Sequence, residues 1–533
     1  MKAAVIGLDG AGWHVLDPMI EAGVMPHLGE IKAAGASGPL RSTLPVFTPP
    51  AWTSALTGVN PGRHGIYGFF EGNAQTERQQ LLHSGKVRAP LLWDMARAQD
   101  ARCGIFNLPL TYPAVQIEGW MVSGMMTPGE GSSLSRWASP DRAGELVLDA
   151  VPDYVPDLTA NYETDYKSTR LCQAGMRILD HRRRALEALL DADEPDLLFA
   201  MIEVPDRLQH VYYAFLDPDS ERYDRAEGRR MREAILPCYR RVDEIIGLLR
   251  ARLGDEGWLI VCSDHGFTQW EVSVHTNVLL AQWGFLALRP GSRLLQSAPV
   301  KRGASVARRF LAHAVTRPAK QLSMNAIDWS RTQAFASPVQ GVRLNLKGRD
   351  RLGSVEPADA PALARAITER FMQLRADDGS EITDRVWSAA DAYHGDWQED
   401  ASDLLPVLRG HRWDLDVELF HREPFSDHTG LPRGVHHING IVSLSGPGAA
   451  PSASLDNARV EDIAPTLMHL GGLSVPEGLD GRALTEGLLP AWTRSHPVRE
   501  APAVEASGSS EASPYSAEEE AQIEEALRGL GYL

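Results

Sequence analysis

The sequence predicts an α/β fold: a doubly wound, mostly parallel sheet with helices on both faces and an inserted cap subdomain. Three observations predict it. Short, wholly apolar runs recur at Ala3–Leu8, Leu197–Ile202, Leu259–Cys262 and Ile441–Leu444; each is too short for a buried helix and sits beside Gly, Asp or Pro. Between them lie longer stretches with apolar residues three and four apart, such as Thr169–Leu190 and Glu221–Leu253. The runs lack polar alternation, as parallel strands covered by helices on both sides require. At 533 residues the chain can build more than one core.

In chain order, the run Ala3–Leu8 ends at Asp9. Thr48 is followed by Pro49 and Pro50, and a proline at a first helical position predicts a helix with Thr48 at its N-cap. Residues from about 115 to 165 are rich in Gly, Pro, Ser and Asp and read as an insertion. The run Leu197–Ile202 leads into Glu203 and Asp206, with His210 four residues on. The run Leu259–Cys262 leads into Ser263-Asp264-His265-Gly266. Residues from about 290 to 395 carry a basic cluster (Lys301, Arg302, Arg308, Arg309), a β-like run at Gln333–Leu346 and a helical stretch near Ala360–Leu374. The segment Gly434 to Gly440, with His436 and His437, precedes the run Ile441–Leu444. The expected organisation is a core in two parts, 1–290 and 396–490, a cap at 291–395, a flexible linker at 491–515 and a terminal helix at 516–533. Ser516 suits an N-cap there, with acids in the first turn, and Ile523, Leu527 and Leu530 would form its apolar stripe.

Composition narrows the function. Apolar residues make up 43% and charged residues 23%, an ordinary globular balance that excludes a disordered or fibrous chain. The formal net charge of −17 opposes phosphate backbones and anionic membrane surfaces, so neither a nucleic acid nor a membrane is an expected partner. The four cysteines, Cys103, Cys172, Cys238 and Cys262, are too scattered for a disulfide framework or a thiolate zinc site. No apolar stretch reaches the ~18 residues that span a bilayer, and the short N-terminal run lacks the features of a secretory signal. Together these predict a cytoplasmic chain; they leave the oligomeric state open.

The acids fall at strand ends. In an open parallel sheet, ligands bind outside the carboxyl ends of the strands, and three strands deliver carboxylates to that rim. Like charges brought together are costly unless a cation neutralises them. Asp206 and His210 share a helix face at i, i+4, Asp264 and His265 are adjacent at a strand end, and the Gly434–Gly440 segment adds an imidazole. Mixed carboxylate and imidazole donors suit zinc, or manganese, and two groups of them suggest two divalent ions. Thr48, at a helix start that favours an anion, is the candidate nucleophile; a threonine hydroxyl needs activation by a base or a metal.

These pieces resemble the alkaline phosphatase superfamily, and within it the type I phosphodiesterase/nucleotide pyrophosphatase branch in its bacterial predicted phosphohydrolase-or-phosphomutase form. The resemblance rests on Gly7-Leu8-Asp9-Gly10, the stretch Thr48 to Gly58, Asn60-Pro61-Gly62-Arg63-His64-Gly65-Ile66, Asn107-Leu108-Pro109, Pro205-Asp206 with His210, Ser263-Asp264-His265-Gly266-Phe267, Asn345 to Arg349, His436 to Gly440, and Asp462 to Thr466 followed by Asp480-Gly481-Arg482. It covers most of residues 1–490. It implies an alkaline-phosphatase-like core and two metal sites, one of Asp9, Thr48, Asp264 and His265, the other of Asp206, His210 and His436. It also implies hydrolysis of a small phosphodiester or nucleotide-like substrate through a phosphothreonine on Thr48. A phosphomonoesterase or phosphomutase with the same site is the alternative, and a non-catalytic binding protein of the same fold the second. Sulfatase chemistry does not fit, because Thr48 cannot be oxidised to formylglycine. The resemblance departs from the nucleotide pyrophosphatases at Phe69, where they carry an Asn that contacts the phosphoryl group; Lys347 and Arg349 are the expected substitutes for binding phosphate.

Overall fold

Five strands run parallel at the centre of the main sheet, in the order Trp258–Cys262, Ala3–Leu8, Leu197–Ile202, Cys103–Phe106 and Gly119–Val122. Every residue of Ala3–Leu8 and Leu197–Ile202 is buried, which is why these strands read as unbroken apolar runs. Beyond Trp258–Cys262 the sheet continues through Asn439–Ser445, Ala36–Arg41 and Ala453–Ser454; at its other edge lies Ala138–Ser139. The computed structural model describes residues 1–72, 75, 79–129, 134–158, 160, 165–290, 292, 325–337, 340–506, 510 and 512–530. The basic cluster Lys301, Arg302, Arg308 and Arg309 lies outside the described residues.

Helices cover both faces of the sheet. On one, the helices Thr48–Thr57, Leu92–Arg97 and Ile463–Leu470 pack Trp52, Leu56, Leu92, Met95, Ile463 and Leu467 against Ala3, Val5, Phe199 and Ile260. On the other, the long helices Arg170–Ala192 and Ala226–Leu253 pack together and against Pro26–Ala34 and Val204–Leu216. Both long helices were expected; they begin at Arg170 and Ala226 and end at Ala192 and Leu253.

Three local expectations need correction. The run Ile441–Leu444 lies in the strand Asn439–Ser445, which is antiparallel to both of its neighbours. The chain reaches it by way of Gly434–His437, a strand that pairs with Gly266–Gln269 just past the end of Trp258–Cys262. It therefore enters the sheet from the carboxyl rim and runs back. Second, the stretch from 115 to 165 is not only an insertion: it supplies the strands Gly119–Val122 and Ala138–Ser139 and the helix Asp141–Ala150. Third, Thr48 is the first residue of its helix and Phe47 the N-cap.

The described residues divide into two units: Met1–Phe69, Leu81–Gln269 and Leu431–Leu533 form one, Phe70–Gln80 and Trp270–Gly430 the other. The second unit has its own core. A four-stranded antiparallel sheet, Ala334–Ala336, Val342–Leu344, Leu404–Leu408 and Thr383–Ser388 in order, packs with the helix Ala360–Met372 through Phe335, Leu344, Ile367, Phe371 and Leu404. The β-like run at Gln333–Leu346 is thus a pair of short strands. A three-stranded sheet of Trp413–Asp416, Val272–His275 and Phe425–Asp427 completes this unit.

After Pro490, where the composition predicts a linker, the chain forms the helix Pro490–Ser495 and pairs Glu500–Ala501 with Val475–Pro476. Trp492 meets Trp258 edge-on, ring centroids 5.0 Å apart. The terminal helix spans Ala517–Gly529, with Ser516 as its N-cap and Ile523, Leu527 and Leu530 buried. Among the described residues no helix is long and apolar enough to cross a membrane.

Candidate functional site

The carboxyl rim of the first unit gathers the residues that the sequence pointed to. Asp9 follows its strand directly and is fully buried. Gly10 turns the chain there with φ +71, and its N–H donates to Asp264 Oδ1 at 3.2 Å. A Cβ on Gly10 would stand 2.5 Å from the Phe267 ring, so this turn needs glycine. Asp206 sits in the first turn of Val204–Leu216, one turn before His210. Asp264 and His265 follow the strand Trp258–Cys262, and His436 comes from the strand Gly434–His437.

Two groups result, each able to hold a metal ion: Asp9, Asp264 and His265, and Asp206, His210 and His436. In the first, His265 Nε2 lies 3.2 Å from Asp264 Oδ2 and 3.7 Å from Asp9 Oδ1. In the second, His210 Nε2 and His436 Nε2 both lie 3.4 Å from Asp206 Oδ1 and 2.9 Å from each other. The two groups adjoin, since the His265 and His436 rings stack with centroids 3.7 Å apart. Thr48 Oγ1, fully buried, is 3.4 Å from His265 Nε2.

All three imidazoles are turned the same way. Nδ1 of His436 meets the Val46 carbonyl at 2.8 Å, that of His265 the Gly266 carbonyl at 3.2 Å, and that of His210 the Gly434 carbonyl at 3.3 Å. A carbonyl only accepts, so each Nδ1 carries the proton and each Nε2 presents its lone pair to the cluster. Phe267 packs among the three rings, its centroid 4.7 Å from that of His210, 5.2 Å from His436 and 5.8 Å from His265.

The electrostatics of the cluster favour a cation. Burial, then the neighbouring Asp264 and Asp206, pushes Asp9 well above the usual carboxylate range. Burial pushes Asp264 up to about 7, against the pull of the Gly10 N–H. Burial pushes His210 down to about 4 and holds His265 well below its usual range, so both imidazoles are neutral. Asp206 goes the other way: burial raises it, but the charge that His210 carries when protonated and the Arg207 guanidinium more than reverse that and hold it well below the usual carboxylate range. Both oxygens of Asp9, Oδ1 of Asp206 and Oδ2 of Asp264 are buried and accept no hydrogen bond from the described protein. Facing carboxylates, orphaned oxygens and inward lone pairs fit divalent cations chemically.

Other expected residues take different roles. Glu203 turns away from the cluster to pair with buried Arg182 and to accept from Asn107 Nδ2 at 2.8 Å. His64 is buried, bonds Ser54 Oγ at 2.9 Å and is pushed down to about 3 by burial, a structural tie. Phe69 is buried. In the second unit, Lys347 pairs with Glu356 at 2.5 Å, both exposed. Arg349 is committed within that unit: Nη1 and Nη2 donate to Asp403 at 2.7 and 2.8 Å, Nε to Asp350 at 3.1 Å and Nη2 to the Leu344 carbonyl at 2.6 Å. The residues that shape the cluster without belonging to the expected ligand set are Arg207, Phe267 and the carbonyl of Val46. Of these Arg207 left a sequence signal, a cation directly after Asp206 with Val204, Leu208 and Val211 close by on the same helix.

Comparison with known proteins gives this geometry its context. The type I phosphodiesterase/nucleotide pyrophosphatase family matches residues 3–419. The chain belongs to that family. It is accordingly a phosphoryl-transfer hydrolase of the phosphodiesterase/pyrophosphatase type, and every residue of the two clusters lies within the matched span except His436, which follows it. Among solved structures, phosphonoacetate hydrolase from Sinorhizobium meliloti 1021 is similar both with phosphonoacetate and with phosphonoformate bound. Its TM-scores are 0.53 and 0.52 at 18% identity, covering 87% of this chain and 94% of that one. An inactive variant of murine ectonucleotide pyrophosphatase/phosphodiesterase 5 in complex with AMP aligns with a TM-score of 0.47 at 15% identity, over 90% of this chain and 97% of that one. The likeness to the hydrolase shows a shared alkaline-phosphatase-like fold.

Proposed function

We propose that the chain hydrolyses a small phosphodiester, of nucleotide-like type, through a phosphothreonine on Thr48, with two divalent ions held by Asp9, Thr48, Asp264 and His265 and by Asp206, His210 and His436. The observation that carries this reading is the placement of Thr48 Oγ1 at 3.4 Å from His265 Nε2, beside carboxylate oxygens that are buried and unsatisfied. The donor set suits zinc, with manganese second. Bound there, such ions supply Lewis acidity that acidifies a hydroxyl and offsets charge on a transferring phosphoryl group.

The chain's own residues do the rest. Thr48 opens the helix Thr48–Thr57, whose dipole favours negative charge at its start, although Pro49 and Pro50 contribute no N–H there. Thr48 Oγ1 attacks phosphorus in line, its P–O bond forming as the bond to the departing oxygen breaks, and the Thr48 proton passes through solvent to that oxygen, which leaves as the alcohol. Water then attacks the phosphothreonine and restores Thr48. Within the second unit, Arg349 is proposed to hold the exposed turn that carries Lys347, through Asp350 and Asp403. Phe69, buried where nucleotide pyrophosphatases carry Asn, supports the second reading, a phosphomonoesterase or phosphomutase working through the same threonine.

A panel of phosphodiesters and monoesters tested on metal-loaded protein and on Thr48→Ala separates these readings. The expected result is diester turnover that Thr48→Ala lowers by several powers of ten, while elemental analysis still finds about two ions per chain. Monoester turnover alone would favour the second reading. A Thr48→Ala enzyme with normal turnover would remove the nucleophile.

A further inference from the structure

Directly behind the second cluster lies a buried arginine that the proposed reaction does not use. Arg207 follows Asp206 in the first turn of its helix, and its side chain is fully buried, as is that of Asp206. Its Nη1 donates to Asp206 Oδ2. Its Nη2 donates to Asp157 Oδ1 and Oδ2 at 3.1 and 3.3 Å. The segment carrying Asp157 is held by a second buried arginine: Arg182 donates to the carbonyls of Val155 and Pro156 at 2.7 and 2.9 Å and pairs with Glu203. A guanidinium cannot discharge itself by losing its proton, and a cation so near a metal ligand opposes a second cation. A charge in this position needs a compensating purpose.

We propose that Arg207 is a positioning residue that makes Asp206 a one-oxygen ligand, with Asp157 as the counter-charge that sets how strongly it pulls. The hydrogen bond to Oδ2 occupies one side of the carboxylate. The other oxygen, Oδ1, is then left facing His210 Nε2 and His436 Nε2, 3.4 Å from each, and accepts no hydrogen bond. Held this way the carboxylate cannot swing to offer both oxygens, and the three donors of this cluster converge on one point. The planar fork of arginine can bond two carboxylates at once; a lysine ammonium in its place could not keep both in register. The assignment rests on the two-ion reading above.

Single-site backgrounds test it by metal binding alone. His265→Ala leaves the second cluster as the intact one, and His210→Ala leaves the first. In chelator competition with zinc, Arg207→Met should weaken the ion held in the His265→Ala background by about 10- to 100-fold, the range found when partners of metal ligands are removed. It should leave the ion held in the His210→Ala background within about threefold. Arg207→Lys should recover part of the loss. Asp157→Asn, which keeps the buried arginine and so spares the fold if Arg207→Met does not, should weaken the same ion selectively. Equal weakening in both backgrounds, or no change at the second cluster in Asp157→Asn, would overturn the proposal. Wild-type protein that binds fewer than two ions would instead overturn the two-ion reading beneath it, before any variant is compared.

Discussion

Asp9, Asp206 and Asp264 bring three carboxylates into one buried cluster, and their protons make the metal-free protein pH-sensitive in a definite direction. The Asp264 carboxyl is pushed up to about 7 from an ordinary 3.8, and Asp9 moves the same way. Between those values the unfolded chain has released the proton and the folded chain still holds it. The contribution of Asp264 to metal-free stability therefore falls as pH rises from about 4 to about 7, stays at its lower level above that, and is absent below about 4. A divalent ion removes the penalty and must displace the same proton to bind. The gap in Tm between metal-loaded and chelator-treated protein should therefore widen from pH 5 to pH 8; a gap that narrows would contradict the charge assignment. Most of this cluster was readable beforehand, because strand ends punctuated by Asp and an i, i+4 Asp–His pair are local signals. Its supports were not. That Arg207 grips Asp206 and Asp157, or that the Val46 carbonyl orients His436 from 390 residues away in sequence, depends on tertiary contacts that no spacing encodes.

The helix Thr48–Thr57 presents the proposed nucleophile because its body is clamped. All ten residues are buried. Trp52 meets Phe199 edge-on at 5.9 Å and lies so close over Gly7 that a Cβ there would stand 2.3 Å from its ring. Gly58, left-handed at φ +70, ends the helix. Trp52→Ala should cost ~3–5 kcal/mol, the usual range for emptying a large aromatic site, and should lower kcat as well, since the first turn loses its anchor. Denaturant unfolding together with steady-state kinetics checks both; a variant with unchanged stability would mean that the helix is held elsewhere. The prolines made the helix start legible to within one residue. The direction of Asn439–Ser445 was not legible, because an apolar run has no polarity and its antiparallel course follows from the hairpin-like pairing of Gly434–His437 with Gly266–Gln269.

The first unit closes on its own C-terminus. Tyr515 is buried, donates to or shares its hydroxyl with the carbonyls of Leu82 and Met126 at 3.2 Å each, and stacks on Tyr112 at 5.4 Å. Arg136 reaches Glu519 at 2.9 Å, and the Ser516–Glu519 capping box starts the helix. Tyr515→Ala should destabilise the protein by ~3 kcal/mol with metal content unchanged. An unaltered Tm would show that the tail is not part of this core. The amphipathic stripe of this helix was plain in the sequence. The anchoring of 490–506 was not, since a stretch rich in Ala, Pro and Ser resembles a linker until Trp492 is seen against Trp258. The second unit was legible as an interruption of the strand–helix rhythm, but its edges, Phe70–Gln80 and Trp270–Gly430, join two distant parts of the chain and cannot be found by reading along it.

In the proposed reaction Thr48 carries the phosphoryl group between two displacements. Each in-line displacement inverts phosphorus, so two in succession restore it. Turnover of a chiral thiophosphate diester in isotopically labelled water, with the product's configuration read at phosphorus, measures this directly. Net retention is the expected result. Net inversion would mean that water attacks the substrate in a single step, and Thr48 would be left as a metal ligand or a helix-start residue.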